Sequence, residues 1–316
     1  MERAFLFPGQ GSQYVGMGKD LAEAFPVARY TFEEVDDALS LNLSRIIFEG
    51  PEEELNLTEN TQPALLAVSA ALIRIMTREA GISIEKSASF AAGHSLGEYS
   101  ALTAVGSLDL ADTAKLVQRR GRAMQNAVPV GIGSMAAIIG MEFSDVQEIT
   151  NGIAENDEKV CQAANDNSVG QVVISGHKGA VEEAVAIASE KGAKKAVTLP
   201  VSAPFHCTLM APAAQVMAQA LADTDIRPPS IPVVSNVTGK GEKDPNEIRR
   251  LLVDQITSMV RWRESVQWMR QQGVEEMVEI GAGKVLSGLV RRIDKEIKTE
   301  SVGDARQLEE LINRLT

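Results

Sequence analysis

The stretch Ser89-Phe90-Ala91-Ala92-Gly93-His94-Ser95-Leu96-Gly97-Glu98-Tyr99-Ser100-Ala101-Leu102 decides the fold. Its first five residues are small or apolar and read as a short buried strand, Ser89 to Gly93. Its last part, Leu96 to Val105, begins a helix. Between them stands Gly93-His94-Ser95-Leu96-Gly97, a G-x-S-x-G in the strand-turn-helix context that a nucleophile elbow requires. Glycines let the chain turn sharply and let strand and helix pack closely. The turn presents the Ser95 hydroxyl at a helix N-terminus, where free N–H groups and the helix dipole favour developing negative charge.

Outward from this point, short apolar strands alternate with longer helical patterns, which predicts an α/β architecture. Arg3 to Phe7 reads as a strand running into Pro8-Gly9-Gln10-Gly11-Ser12. Gln62 to Glu79 reads as a helix, apolar nearly all round as far as Arg74 and so buried. Asp109 to Asn126 reads as another, with a stripe of Leu110, Ala114, Val117, Gly121 and Met124. The middle of the chain differs. Strands are predicted over Ser134 to Met141, Val160 to Ala164, Gln171 to Ser175 and Ala196 to Val201. Helices follow from the capping-box pattern Ser144-Asp145-Val146-Gln147, to about Ala154, and over Ala180 to Lys191. The order βαββαβ is the ferredoxin-like pattern. The predicted fold is therefore a hydrolase-like core with a central parallel sheet, formed by residues 1–128 and 200–316. A ferredoxin-like subdomain, residues 129–199, is inserted in it.

Composition narrows the function. The 316 residues are 44% hydrophobic and 23% charged, ordinary values for a soluble globular protein. No apolar run is long enough to span a bilayer, and the apolar stretch behind Met1 is too short for a signal peptide, so a cytoplasmic location is expected. A net charge of −12 argues against nucleic-acid or membrane-surface binding. Cys161 and Cys207 form no disulfide framework, and no Cys/His cluster has metal-ligand spacing.

A serine needs a base, and there are only three histidines. His94 adjoins Ser95 and is expected to pack beneath the turn. His177 is expected at the surface of the inserted subdomain. His206 stands where the chain re-enters the large domain, after the serine in chain order, and is the expected general base. Cys207 beside it has no elbow and is set aside. The oxyanion hole needs two backbone donors. The Leu96 N–H follows the nucleophile, and the Gly9-Gln10-Gly11-Ser12-Gln13 loop fits for the second. That loop has neither the G-x-G-x-x-G spacing nor a P-loop lysine, which discounts nucleotide binding. Arg120 borders the buried stripe of its helix, and a half-buried guanidinium needs a carboxylate. The residues alone leave two partners equal: an acidic substrate, or a structural ion pair such as one with Glu98.

Six segments together resemble the malonyl-CoA:acyl carrier protein transacylases of bacterial fatty-acid synthesis. They are FPGQGSQ from Phe7, TQPALLA from Thr61, GHSLGEYSAL from Gly93, RRGRAMQ from Arg119, NDNSVGQVVISG from Asn165 and VSAPFHC from Val201. They keep the family's order and spacing across most of the chain. The resemblance implies that Ser95 is acylated with His206 as base, and that the amides of Gln10 and Leu96 form the oxyanion hole. It implies that Arg120 binds the malonyl carboxylate and that the main-chain carbonyl of Gln255 orients the histidine. Asn165 and Asn167 would lie towards coenzyme A. Phe205, where some members carry a small residue, would disfavour a branched acyl group. The implied partners are malonyl-CoA and a holo acyl carrier protein, acting on a monomer with no metal or other cofactor. A carrier protein is typically acidic, so Arg261, Arg263, Lys284, Arg291, Arg292 and Lys295 are candidates for docking it. Rival readings are a serine thioesterase, a free-standing polyketide acyltransferase and a silent carrier-binding scaffold.

Overall fold

A computed structural model describes residues 2–155, 159–201 and 203–316. Ser202, within the VSAPFHC segment, and residues 156–158 of the expected subdomain lie outside the described residues. The strands are β1 (Glu2–Phe7), β2 (Phe90–Gly93), β3 (Gly133–Ile139), β4 (Cys161–Ser168), β5 (Gln171–His177), β6 (Lys195–Thr198), β7 (Val233–Val234), β8 (Gly241–Glu242), β9 (Val274–Ile280) and β10 (Lys298–Val302). They make two sheets. The first has the order β10-β9-β1-β2-β7-β8 and is parallel except for the β7–β8 pair.

This sheet is buried on both faces, as parallel sheets are. Alternation along β1 sends Phe5 and Phe7 into one apolar cluster and Ala4 and Leu6 into another. The first cluster is built on the helix Thr58–Arg74, whose residues from Asn60 to Ile73 are all buried. The second is covered by Trp262, Val266 and Met269 of the helix Trp262–Gln271 and by Leu286, Leu289 and Val290 of Val285–Ile293.

The second sheet has the order β4-β5-β3-β6, antiparallel throughout. With the helices Phe143–Glu155 and Lys178–Glu190 it completes the expected βαββαβ series. Ala136, Ile138, Val172 and Ile174 face those helices, while Met135, Ala164 and Val173 join the main core. The sheet is therefore clamped to the rest of the chain. Val260 pairs with the strand through Val260 N–H to Ala164 O at 2.8 Å and Asp166 N–H to Val260 O at 3.0 Å.

Three boundaries differ from expectation by three residues or more. The helix expected from Gln62 starts at Thr58 and ends in a π-helical turn, Ile75–Glu79. Pro63 suggests a first turn, but Asn60 and Thr61 anchor an earlier one by donating to the carbonyls of Glu54 and Leu55. β4 continues four residues past Ala164, through the polar run Asn165-Asp166-Asn167, with register shifts at 163/165 and 166/168. Asparagine and aspartate are poor strand formers; here each finds a specific partner. β6 stops at Thr198, short of Pro200, which has no N–H to give a ladder.

Candidate active site

Because β1 and β2 are parallel neighbours, with Phe7 opposite Gly93, the loops that follow them leave the same carboxyl edge. That edge is where open α/β sheets bind ligands. The two loops touch. A Cβ on Gly97 would lie 2.1 Å from Phe7 O, and one on Gly9 would lie 2.4 Å from His94 O. Only glycine permits this approach. Ser95 itself has φ 53° and ψ −108°, a conformation that costs roughly 1–3 kcal/mol and persists only where the surroundings impose it. They do so here: the Ser95 N–H donates to Asn236 Oδ1 at 2.6 Å, and its carbonyl accepts from Gln255 Nε2 at 3.0 Å.

Ser95 Oγ lies 2.8 Å from His206 Nε2, and His206 Nδ1 lies 2.9 Å from the main-chain oxygen of Gln255. A carbonyl oxygen can only accept, so the proton of the neutral ring sits on Nδ1. Nε2 is then left as the acceptor facing the serine hydroxyl. His206 is 4% exposed and also has a positive φ, 59°. Burial, helped by the charge of Arg120, pushes its pKa from the ordinary 6.5 down to about 3. The imidazole is thus neutral and able to take a proton. A carbonyl fills the place of a triad carboxylate.

Arg120, on the helix Leu110–Asn126, is 1% exposed. Its Nη1 donates to Gln62 Oε1 at 2.9 Å; its Nη2 donates to Gln255 Oε1 at 2.8 Å and to Ser95 Oγ at 3.1 Å. The guanidinium carbon lies 5.6 Å from the centre of the Tyr99 ring, and Nε has no hydrogen-bond partner among the described residues. The alternative of an ion pair with Glu98 is not what forms. Glu98 Oε2 accepts from Asn236 N–H at 3.0 Å and from Gln255 Nε2 at 2.8 Å, so the Gln255 amide stands between the two charges. Among the described residues Arg120 has no direct carboxylate partner. Burial lowers its pKa and raises that of Glu98 to about 7.

A cavity of about 500 Å³ opens over these groups. Gln10, Leu96, Asn165 and Phe205 line it together with Ser95, His206 and Arg120. Leu96 is the first residue of its helix, so its N–H has no carbonyl one turn back to bond. Gln255 is fully buried behind the cavity. Asn167 is set back too: its Oδ1 accepts from His94 Nε2 at 2.8 Å. His177, expected at the surface, is half-buried and accepts the Val160 N–H on Nδ1 at 2.9 Å. Of the cationic docking candidates, Arg263 is held by Asp166 at 2.8 Å and Arg261 by Glu264 at 2.9 Å. Arg291 donates to Thr299 and Arg292 to Gln171. Lys284 and Lys295 are exposed.

Sequence reasoning missed three side chains: Asn236, Gln62 and the hydrogen-bonding role of Glu98. Asn236 follows β7, next to β2, so its place at a strand's carboxyl end was the available signal. Gln62 lies in the TQPALLA segment with nothing local to mark it. No helix among the described residues is long and apolar enough to cross a membrane, and none of their His, Cys, Asp and Glu side chains form a group of three suited to a metal ion.

The chain is similar to known proteins over nearly its whole length. Residues 4–310 match the acyl transferase domain family. The malonyl CoA-acyl carrier protein transacylase of Bacillus subtilis (strain 168) is 46% identical over 312 residues, 99% of this chain and 96% of that protein. Its counterpart in Escherichia coli (strain K12) is 49% identical over 290 residues, 92% of each. The crystal structure of acyl-carrier-protein-S-malonyltransferase from Bartonella henselae superposes with a TM-score of 0.97 at 56% identity, covering 100% of this chain and 99% of that one. A malonyl-transacylase solved with a type II PKS acyl-carrier protein gives 0.95 at 44% identity, covering 99% of this chain and 100% of that one. With its fold and nearly its whole length shared with these relatives, the chain belongs to the acyl transferase domain family, among the malonyl CoA-acyl carrier protein transacylases.

Proposed function

We propose that the protein transfers malonyl from malonyl-CoA to the phosphopantetheine thiol of an acyl carrier protein through a malonyl ester on Ser95. The observation that carries this reading is the position of Ser95 Oγ. It lies 2.8 Å from a neutral imidazole nitrogen and 3.1 Å from a buried guanidinium that has no carboxylate partner among the described residues. In malonyl a single methylene separates the acyl carbon from the carboxylate. An arginine that grips the carboxylate must therefore adjoin the nucleophile, and its planar fork suits a bidentate hold.

His206 Nε2 takes the Ser95 proton as Oγ attacks the thioester carbonyl. The oxyanion rests on the amides of Gln10 and Leu96. The C–S bond breaks, and the sulfur leaves as the coenzyme A thiol with the proton from His206. The carrier thiol then gives its proton to His206 and attacks the ester. Ser95 Oγ departs and recovers the proton. Arg120 holds the acyl carboxylate through both halves while Gln255 O keeps the ring oriented. Phe205 crowds the acyl C2 and favours malonyl over a methyl-branched group. Asn165 and Asn167 bear on the coenzyme A side, the latter through His94. The chemistry calls for no metal or redox cofactor. We further propose a cytoplasmic monomer, with residues 129–199 as the inserted subdomain between 1–128 and 200–316.

A substituted-enzyme mechanism has a kinetic signature. Initial rates with malonyl-CoA and holo carrier protein both varied should give parallel double-reciprocal lines. Lines that converge would mean that both substrates bind before transfer, and would overturn the acyl-serine route.

A further inference from the structure

Ser95-Leu96-Gly97-Glu98 has the S-x-x-E pattern of a capping box, in which the glutamate bonds back to the N–H of the capping residue. Here both members are diverted. The Ser95 hydroxyl faces His206 and Arg120 and caps nothing. The Ser95 N–H, which Glu98 would take in a capping box, goes to Asn236 Oδ1 instead. Glu98 is 3% exposed, and its Oε2 accepts from Asn236 N–H and Gln255 Nε2. A buried carboxylate is costly to desolvate, so one released from its local capping role calls for another.

Gln255 supplies it. Its amide could sit either way round. Glu98 Oε2 at 2.8 Å and Ser95 O at 3.0 Å are both acceptors, and they require the NH2 end. The carbonyl end is then fixed towards Arg120 Nη2 at 2.8 Å. A flipped amide would aim N–H groups at the guanidinium. It would also face two acceptors with an acceptor. The backbone of the same residue holds His206.

We propose that Glu98 is a positioning residue for malonyl recognition: it locks the Gln255 amide so that Arg120 is held at the Ser95 hydroxyl in the pose that receives the acyl carboxylate. This rests on the proposed role of Arg120. Glu98 touches no substrate, and its effect on malonyl recognition runs through Gln255.

The test is the rate of Ser95 acylation by malonyl-CoA and by acetyl-CoA, which has no carboxylate for Arg120 to hold. Wild type, Arg120→Ala, Glu98→Gln and Glu98→Gln in the Arg120→Ala background are compared. Glu98→Gln keeps the shape but replaces the carboxylate by an amide, so of the two acceptors that hold the Gln255 NH2 end only Ser95 O remains obligatory. Loss of one charge-assisted bond corresponds to about a tenfold fall in malonyl kcat/KM, with acetyl changed less than about threefold. In the Arg120→Ala background it should leave the malonyl-to-acetyl ratio where Arg120→Ala alone puts it. Equal losses for the two donors, no loss, or a further shift of the ratio without Arg120 would overturn the proposal. If Arg120→Ala itself fails to discriminate the donors, the role of Arg120 falls and the proposal falls with it. Should Glu98→Gln not fold, Glu98→Asp keeps the carboxyl group but withdraws it by one methylene, and the same ratio decides.

Discussion

At the scale of the residue, the chemistry is set by what burial does to two groups. His206 is kept neutral, and its pKa is pushed down to about 3 by desolvation and by Arg120. Between pH 6.5 and about 3 an unfolded chain binds a proton that the folded imidazole refuses. This group's contribution to stability is therefore complete above 6.5 and is lost as pH falls through that window. Glu98, raised to about 7, works in the opposite sense: its contribution is present below 4.5 and lost as pH rises through 7. The prediction is that NMR of the His206 ring shows no protonation midpoint near 6.5, but one well below it. A midpoint at the ordinary value would mean that the ring is solvated and that Nε2 is not reserved for Ser95.

At the scale of the element, a parallel strand pair followed by two glycine-rich turns brings Pro8–Gly11 against the elbow. Between β1 and the elbow the closest approach is at Gly97, where a Cβ would meet Phe7 O at 2.1 Å. Gly97→Ala should force strand and helix apart, destabilise the fold by about 3 kcal/mol and abolish acylation. Thermal denaturation and an acyl-transfer assay check this, and a variant of wild-type stability would remove the reason given for the glycine. Much of this element was legible in the sequence. Ser89 to Leu102 reads as strand, turn and helix within a residue or two of what forms, and elimination among three histidines points to His206, which stands 2.8 Å from Ser95 Oγ. The polar strand residues Asn165 to Asn167 were not legible as strand, because their partners His94, Arg263 and Val260 come from distant segments. Asn236, Gln62 and Glu98 escaped for the same reason. Their meaning lies in hydrogen bonds that span 141, 58 and 157 positions, and no local pattern encodes such a bond.

At the scale of the whole molecule, the antiparallel sheet must stay registered on the parallel one, because the cavity is lined from both. Two devices do this: the pairing of Val260 with β4, and the ion pair between Arg263 and Asp166, whose side chains are 23% and 1% exposed. Removing Arg263 leaves a buried carboxylate uncompensated. Arg263→Ala should then cost about 3–5 kcal/mol by chemical denaturation. Arg122→Ala, which breaks an exposed pair with Glu59, should cost about 1 kcal/mol or less. Similar small losses for both would show that the clamp does not depend on this pair.

All three scales converge on one hydroxyl. The most direct measurement is intact-protein mass spectrometry after brief exposure to malonyl-CoA, on wild type and on Ser95→Ala, followed by a chase with holo carrier protein. Wild type should gain a single malonyl group, lose it to the carrier and not to buffer, and Ser95→Ala should gain none. A malonyl group that persists on Ser95→Ala, or one released to water as fast as to the carrier, would contradict transfer through Ser95.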